Sequence, residues 1–226
     1  MKMIKNEALN EKNRAELTNA LAHDIKTPLF VISGYAYSLK ENIDEDEKDR
    51  YLDKIIEQTE KINTLVHNML NLSKLDMYSI TLNRTDFDLC ELTEKLLENY
   101  EQLPDRKNIV FEHSGDNRVN GDVSLITTAL GNLIDNAIHY SLKETAINIG
   151  VNDKTFMISN KCEPLSKSEL KQIWQPYVRK DKSRRQNGNG LGLSIVKSIL
   201  DLHKIKCKTE MKDDTLSFGI DFKQNK

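Results

Sequence analysis

The sequence predicts an α+β chain in two parts: an N-terminal αα-hairpin over residues 1–79 and an α/β sandwich over residues 80–226. Three observations carry this. The first third repeats apolar residues at steps of three and four, with only Pro28 and Gly34 interrupting it. Beyond Tyr78, short runs alternate apolar and polar residues between turn-forming residues. Among those runs lie four segments that return to the helical period.

The first helical seam is Leu17, Leu21, Ile25, Leu29, Ile32, Ala36 and Leu39. It ends in a polar break from Glu41 to Asp49. A second seam follows at Leu52, Ile55, Thr59, Ile62, Val66 and Met69, widened by Ile56, Leu65, Leu70 and Leu75. Two such helices joined by a short turn form an αα-hairpin. Their apolar stripes are too wide to bury in each other, so a second copy is expected to complete a dimeric four-helix bundle. In the second part, TLNRTDFDL reads as a linker with a short edge strand, and LCELTEKLLENY as a helix. NIVFEHS and RVNGD read as strands, and DVSLITTALGNLIDNAIHYS as a long helix. TAINIGV and KTFMISN form a hairpin around Asn152 and Asp153. SKSELKQIWQ is a short helix, Pro176–Asn189 an irregular basic loop, and LGLSIVKSILDLH a helix. IKCKTEM and LSFGIDF close as a hairpin around Asp213 and Asp214. Helices are expected on one face of the sheet.

Composition narrows the function classes. A hydrophobic content of 38% can build a core, and 30% charged residues suit a soluble chain. The net charge of −2 gives no reason to expect nucleic acid as a partner. No segment approaches the ~20 apolar residues a membrane span needs, and Met1–Arg14 is too polar for a signal peptide. Cys90, Cys162 and Cys207 are odd in number and widely spaced, which fits reduced thiols better than a disulfide framework or a zinc site.

Three groups of residues point to chemistry. His23 lies off the apolar seam, beside Asp24, with Thr27 one turn further on nearly the same face, within ~6 Å. Pro28 removes the amide that would bond the Asp24 carbonyl and is expected to bend the helix. A bent helix can present an imidazole as a nucleophile toward phosphorus, and a plain packing kink is the competing reading. Asn132 and Asn136 stand at i and i+4, with His139 and Tyr140 on the same face. Carboxamide oxygens suit Mg²⁺, which shares phosphate oxygens, although solvated asparagines are the alternative. Finally, Gly188, Gly190 and Gly192 lead into a helix. Glycines permit close backbone approach to phosphate, and helix-start amides favour anions. Arg179, Lys180, Lys182, Arg184 and Arg185 precede them and are placed to neutralise a triphosphate. The loop lacks the Gly-Lys-Ser/Thr of a Walker motif and the strand that precedes a dinucleotide fingerprint.

In this order the motifs resemble the cytoplasmic core of bacterial sensor histidine kinases, over nearly the whole chain from about Asn13 to Phe222. HDIKTP is similar to the acceptor-histidine motif and NLIDNAIHYS to the asparagine motif. IWQPYVR is similar to the aromatic motif before the lid, and GNGLGLSIVK to the second glycine motif. The resemblance implies a phosphoacceptor hairpin followed by an ATP-binding domain of the gyrase/Hsp90/kinase/MutL type, acting with ATP and Mg²⁺. It implies that His23 accepts the γ-phosphoryl group, Asp24 assists as general base, and Thr27 positions water for dephosphorylation. Asn136 would coordinate Mg²⁺, Asn132 would support the phosphates, and Tyr140 would pack against adenine. His139 occupies a place where Lys or Arg is frequent. Arg184, with Arg179 upstream, would reach the phosphates, and Gly188, Gly190, Leu191 and Gly192 would form the cradle. Implied partners are the receiver domain of a response regulator and a second copy of the chain, and the implied setting is the cytoplasmic portion of a membrane-anchored parent. A phosphatase-biased core and an ATP-independent scaffold remain as alternatives. One segment departs from the pattern. The family's Asp-x-Gly-x-Gly is here Asn160-Lys161-Cys162-Glu163-Pro164. Asn160 can still accept a bond from the adenine amino group, more weakly than a carboxylate.

Overall fold

The computed structural model describes residues 22, 24–41, 43, 45–75, 81–100, 108–176, 178 and 190–223. The chain divides into two compact units, Met1–Ser73 and Lys74–Lys226. In the first, helix α1 covers residues 24–40 and helix α2 runs from Lys48 to Leu75, preceded by a 3₁₀ turn at Glu45–Glu47. The second helix therefore begins inside the polar break expected from Glu41 to Asp49. Tyr35 of α1 and Tyr51 of α2 bring their rings to 5.2 Å, a contact of the kind that adds ~1 kcal/mol beyond area burial. Lys54 and Lys61 flank Glu57 at 2.7 and 2.6 Å, and their hydrogen bonds hold the Glu57 carboxyl down at about 2. Of the first unit's described apolar side chains, only Pro28 and Leu65 are buried. Leu29, Phe30, Tyr37, Ile43, Leu52, Ile56 and Val66 are all exposed within the single chain.

The second unit is an α/β sandwich. A mixed sheet has the order β2-β4-β5-β7-β6, with β2 Ile109–Ser114, β4 Ile147–Asn152, β5 Thr155–Lys161, β6 Cys207–Lys212 and β7 Thr215–Asp221. Strands β2 and β4 are parallel, and every other pairing in this sheet is antiparallel. The period-two pattern puts Ile147, Ile149 and Val151 of β4 on the inner face. Phe156 and Ile158 of β5, and Leu216, Phe218 and Ile220 of β7, join them there. Against them lie helices α4 Val123–Tyr140 and α6 Gly192–His203, which bury Leu130, Leu133, Ile134, Ile195, Val196 and Ile199 to 0% exposure. Each such side chain contributes about 1.5–3 kcal/mol of hydrophobic stabilisation. Strands β1 Arg84–Asp88 and β3 Arg118–Asp122 pair only with each other, as a separate two-stranded sheet, and helix α3 Leu89–Glu98 follows β1. Helix α5, Lys167–Gln172, is opened by a capping box between Ser166 and Glu169.

One detail differs from the sequence reading. The β4–β5 turn residues are Asp153 and Lys154, one position later than expected, because Asn152 stays in register opposite Thr155. Both have positive φ, 46° and 65°, as a two-residue hairpin of this twist requires. The Asn152 side chain is used instead to accept from Ser114 Oγ at 2.7 Å.

His203, at the end of α6, is fully buried and joins the two helices' supports. Its Nδ1 lies 2.8 Å from the Ile199 carbonyl, and its Nε2 accepts the Asp122 backbone N–H at 3.0 Å. Asp122 in turn caps α4 through Leu125 N and receives Asn83 N. The bonding requires a neutral ring protonated at Nδ1, because a proton on Nε2 would face the Asp122 N–H. Burial accordingly holds the imidazole below its ordinary value, with the Ile199 bond acting in the opposite direction. A depressed histidine binds fewer protons folded than unfolded, so its stabilisation is complete above about pH 6.5 and is lost as pH falls through the folded value. His203→Phe is expected to lower stability by about 1–3 kcal/mol at pH 8 by leaving the Asp122 N–H unsatisfied. The variant should also lose part of the acid-side decline in denaturant-measured stability. A wild-type and variant difference that stays constant from pH 8 to 5 would contradict this.

Candidate active site

The polar face of α4 and the start of α6 meet in the second unit. Asn132 donates from Nδ2 to the Thr128 carbonyl of its own helix at 2.8 Å, which leaves its Oδ1 directed at Gly192. A Cβ at Gly192 would stand 2.9 Å from that oxygen, closer than real side chains come. Glycine is thus required for the two helices to approach here. Gly190 is half-buried with φ +64°, a left-handed conformation that glycine adopts without cost. Leu191 is fully buried and precedes α6 with no side-chain cap, and its carbonyl accepts from Ile195 N and Ser194 Oγ. The first amides of α6 are therefore not taken by a capping side chain.

One turn beyond Asn132, Asn136 is half-buried and its carboxamide makes no hydrogen bond among the described residues. A further turn on, the His139 and Tyr140 rings meet edge-on at 4.7 Å. Helix α4 then ends at Ser141, whose Oγ bonds the Ala137 carbonyl at 2.6 Å, and Leu142 N donates to the Lys161 carbonyl at 2.9 Å. That bond ties the end of α4 to the end of β5, where Asn160 sits 3% exposed on the inner face. Cys162, buried where the family pattern has glycine, donates its N–H to the Asp214 carbonyl at 2.7 Å. Trp174, from the aromatic motif, packs edge-on against Phe218 at 5.6 Å.

Asn132, Asn136, His139, Tyr140, Asn160, Gly190, Leu191 and Gly192 thus belong to one sandwich. His23, Arg179, Arg184 and Gly188 lie outside the described residues. In the first unit, Asp24 is half-buried and Thr27 exposed on α1, whose helical assignment continues through the buried Pro28. The sequence reading missed Asp135, which lies between the two asparagine positions. It accepts from Tyr100 Oη at 2.8 Å, linking the end of α3 to α4 beside Asn136. Burial and the Asp135 charge push the Tyr100 phenol far up, so it remains a donor. An aspartate within an asparagine motif was the available signal.

Residues 13–77 match the His Kinase A (phospho-acceptor) domain, and residues 121–224 match the Histidine kinase-, DNA gyrase B-, and HSP90-like ATPase family. The chain belongs to the sensor histidine kinases. Among the kinases it resembles, the sensor protein VanSC of Enterococcus gallinarum is 26% identical over 219 residues, 93% of this chain and 61% of that protein. The sensor histidine kinase HprS of Escherichia coli strain K12 is 30% identical over 193 residues, 84% of this chain and 43% of that protein. The chain spans about half the length of the curated relatives it matches. A crystal structure of histidine kinase ThkA in complex with response regulator protein TrrA has a TM-score of 0.72 at 26% identity, covering 97% of this chain and 66% of that one. The α/β sandwich and helical first unit of this sensor kinase core are thus those of solved kinases.

Proposed function

We propose that the chain is an ATP-dependent protein histidine kinase that phosphorylates His23 and passes the phosphoryl group to an aspartate on a response regulator's receiver domain. The observation that supports it best is the convergence of Asn132 on Gly192, beside an uncapped helix start. This arrangement offers backbone amides to phosphate, and Asn136 on the same face has no hydrogen-bond partner among the described residues. Residues 1–79 would be the dimerisation and acceptor hairpin and residues 80–226 the nucleotide domain.

In the first step the His23 imidazole nitrogen attacks the γ-phosphorus, the bond from the β–γ bridging oxygen to phosphorus breaks, and ADP leaves. Asp24 takes the proton from the other ring nitrogen. In the second step a receiver carboxylate attacks phosphorus, the P–N bond breaks, and the proton held by Asp24 returns to the ring nitrogen, restoring neutral His23. Mg²⁺ would supply charge neutralisation, held by the Asn136 oxygen, whose neutral carboxamide suits a hard cation shared with phosphate. Asn132 and the α6 amides, with Gly188 and Gly190, hold the phosphates, and Arg179 and Arg184 complete the neutralisation. Tyr140, edged by His139, would face the base. Positioning and electrostatics supply the acceleration, since little covalent chemistry is asked of the protein.

The seven exposed apolar side chains of the first unit support a homodimer through α1 and α2. No described helix is long and apolar enough to cross a membrane, and we place the chain on the cytoplasmic side of a parent anchored upstream. Exposed Thr27, one turn from His23, supports an additional phosphatase activity toward the regulator by orienting water. With γ-labelled ATP and Mg²⁺, label should appear on the chain and then move to an added receiver domain. Thr27→Ala should leave the forward reaction intact and slow receiver dephosphorylation by about tenfold or more. Loss of both activities in Thr27→Ala would remove the phosphatase assignment.

A further inference from the structure

Among the described residues of the second unit two asparagines are buried, and they differ in what they do. Asn117, 4% exposed, is fully engaged. Its Nδ2 reaches the Ser114 carbonyl at 3.0 Å, Cys90 Sγ at 3.1 Å and the Gly115 carbonyl at 3.3 Å, and its Oδ1 accepts Lys154 N at 3.1 Å. Asn160, 3% exposed, has a single contact: Nδ2 to the Lys161 carbonyl at a long 3.4 Å. That carbonyl already accepts the Leu142 N–H at 2.9 Å, and Asn160 Oδ1 makes no hydrogen bond among the described residues. Its strand neighbours, Ile147 and Leu216, are apolar and buried. Asn160 Oδ1 is not among the fully enclosed unpaired atoms of the described residues, so this oxygen reaches solvent and its open valence is available to an outside partner.

Its position says which part of a nucleotide that partner is. Asn160 lies at the end of β5 that Leu142 ties to the end of α4, on the Tyr140 side. The phosphate-facing contact of Asn132 with Gly192 lies eight residues back along α4, about 12 Å by helical rise. That separation matches the reach from the phosphates to the base of a nucleoside triphosphate, so Asn160 faces the base.

We infer that Asn160 reads the six-position of a purine in either polarity, so that this kinase accepts 6-oxopurine nucleotides as well as adenine nucleotides. The inference rests on the nucleotide reading proposed above. The substituent on carbon 6 is a donor in adenine and an acceptor in hypoxanthine and guanine. A carboxamide presents both an acceptor and a donor and exchanges them by a half-turn about χ2. For Asn160 that rotation gives up only the 3.4 Å contact. A carboxylate in its place would accept only, and would set oxygen against oxygen with a 6-oxopurine.

Calorimetry with ADP and IDP in Mg²⁺ tests this without turnover, because the two differ only at the six-position and its ring proton. Wild type should bind them within about fivefold of each other, and Asn160→Asp should prefer ADP by more than that factor. A wild-type preference for ADP above fivefold overturns the inference and leaves the kinase reading standing. An unchanged ratio in a folded Asn160→Asp variant overturns it too, since the base would then be read elsewhere. Absence of binding by either diphosphate overturns the nucleotide reading itself. Should Asn160→Asp fail to fold, the wild-type ratio alone decides.

Discussion

Asn136→Ala is expected to reduce autophosphorylation by about a hundredfold or more while leaving the fold intact. The half-buried carboxamide makes no hydrogen bond among the described residues, so truncation breaks none of theirs. Alanine is also the better helix former, by up to ~0.7 kcal/mol, so the melting temperature should hold or rise slightly. A side chain whose loss costs catalysis and not stability is the signature of a ligand-facing group. Steady-state labelling as a function of Mg²⁺ checks the role directly: the variant should need more Mg²⁺, and high Mg²⁺ should restore part of the rate. A variant that melts early, or whose defect is independent of Mg²⁺, would assign Asn136 to the scaffold instead.

Gly192→Ala should weaken nucleotide binding by about tenfold or more. Its new methyl would stand 2.9 Å from Asn132 Oδ1, and Asn132 cannot simply swing away because its Nδ2 is held by the Thr128 carbonyl at 2.8 Å. Either the bond to Thr128 breaks or α6 moves off α4, and both displace groups proposed to hold phosphate. Stability should change little, because Gly→Ala at a helix start regains up to about 1 kcal/mol of helix propensity, offsetting the crowding. Titration with ADP and a thermal melt on the same sample separate the two effects. Unchanged affinity would mean that the α4–α6 contact is packing alone.

Much of the fold was legible because its elements carry their own periods. Helices α3 to α6 and all seven strands fall where apolar spacing or alternation placed them, and both long hairpins pair as expected. What escaped depends on contacts between distant segments. The Asp153–Lys154 turn was misplaced by one residue because Asn152 is as good a turn former as Asp153. Its bond to Ser114, 38 positions away, and its ladder pairing opposite Thr155 hold it in the strand. The pairing of β1 with β3 as a separate sheet is likewise a choice between partners that alternation does not distinguish. At the site, residue types and the i, i+4 spacing pointed to Asn132, Asn136 and the glycines. The direction of the Asn132 amide, the open valences of Asn160 and the clamp of His203 on Asp122 arise from packing and had no local signal.

The departure at Asn160-Lys161-Cys162-Glu163-Pro164 now has a physical meaning. Cys162 is accommodated without a glycine, buried and tied to the β6–β7 turn, so the backbone there is held rather than pliable. The asparagine beside it retains a polar group where the base is proposed to lie. On the proposed reading the segment would alter what is recognised at the base end, while the sequence keeps the asparagines and glycines proposed to hold phosphate.

Labelling with γ-³²P ATP and Mg²⁺ tests the phosphotransfer assignment most directly. Wild type should acquire label that acid removes and base preserves, as a phosphorus–nitrogen bond requires, and His23→Gln should acquire none. Label that persists in His23→Gln, or that resists acid, would contradict His23 as the acceptor.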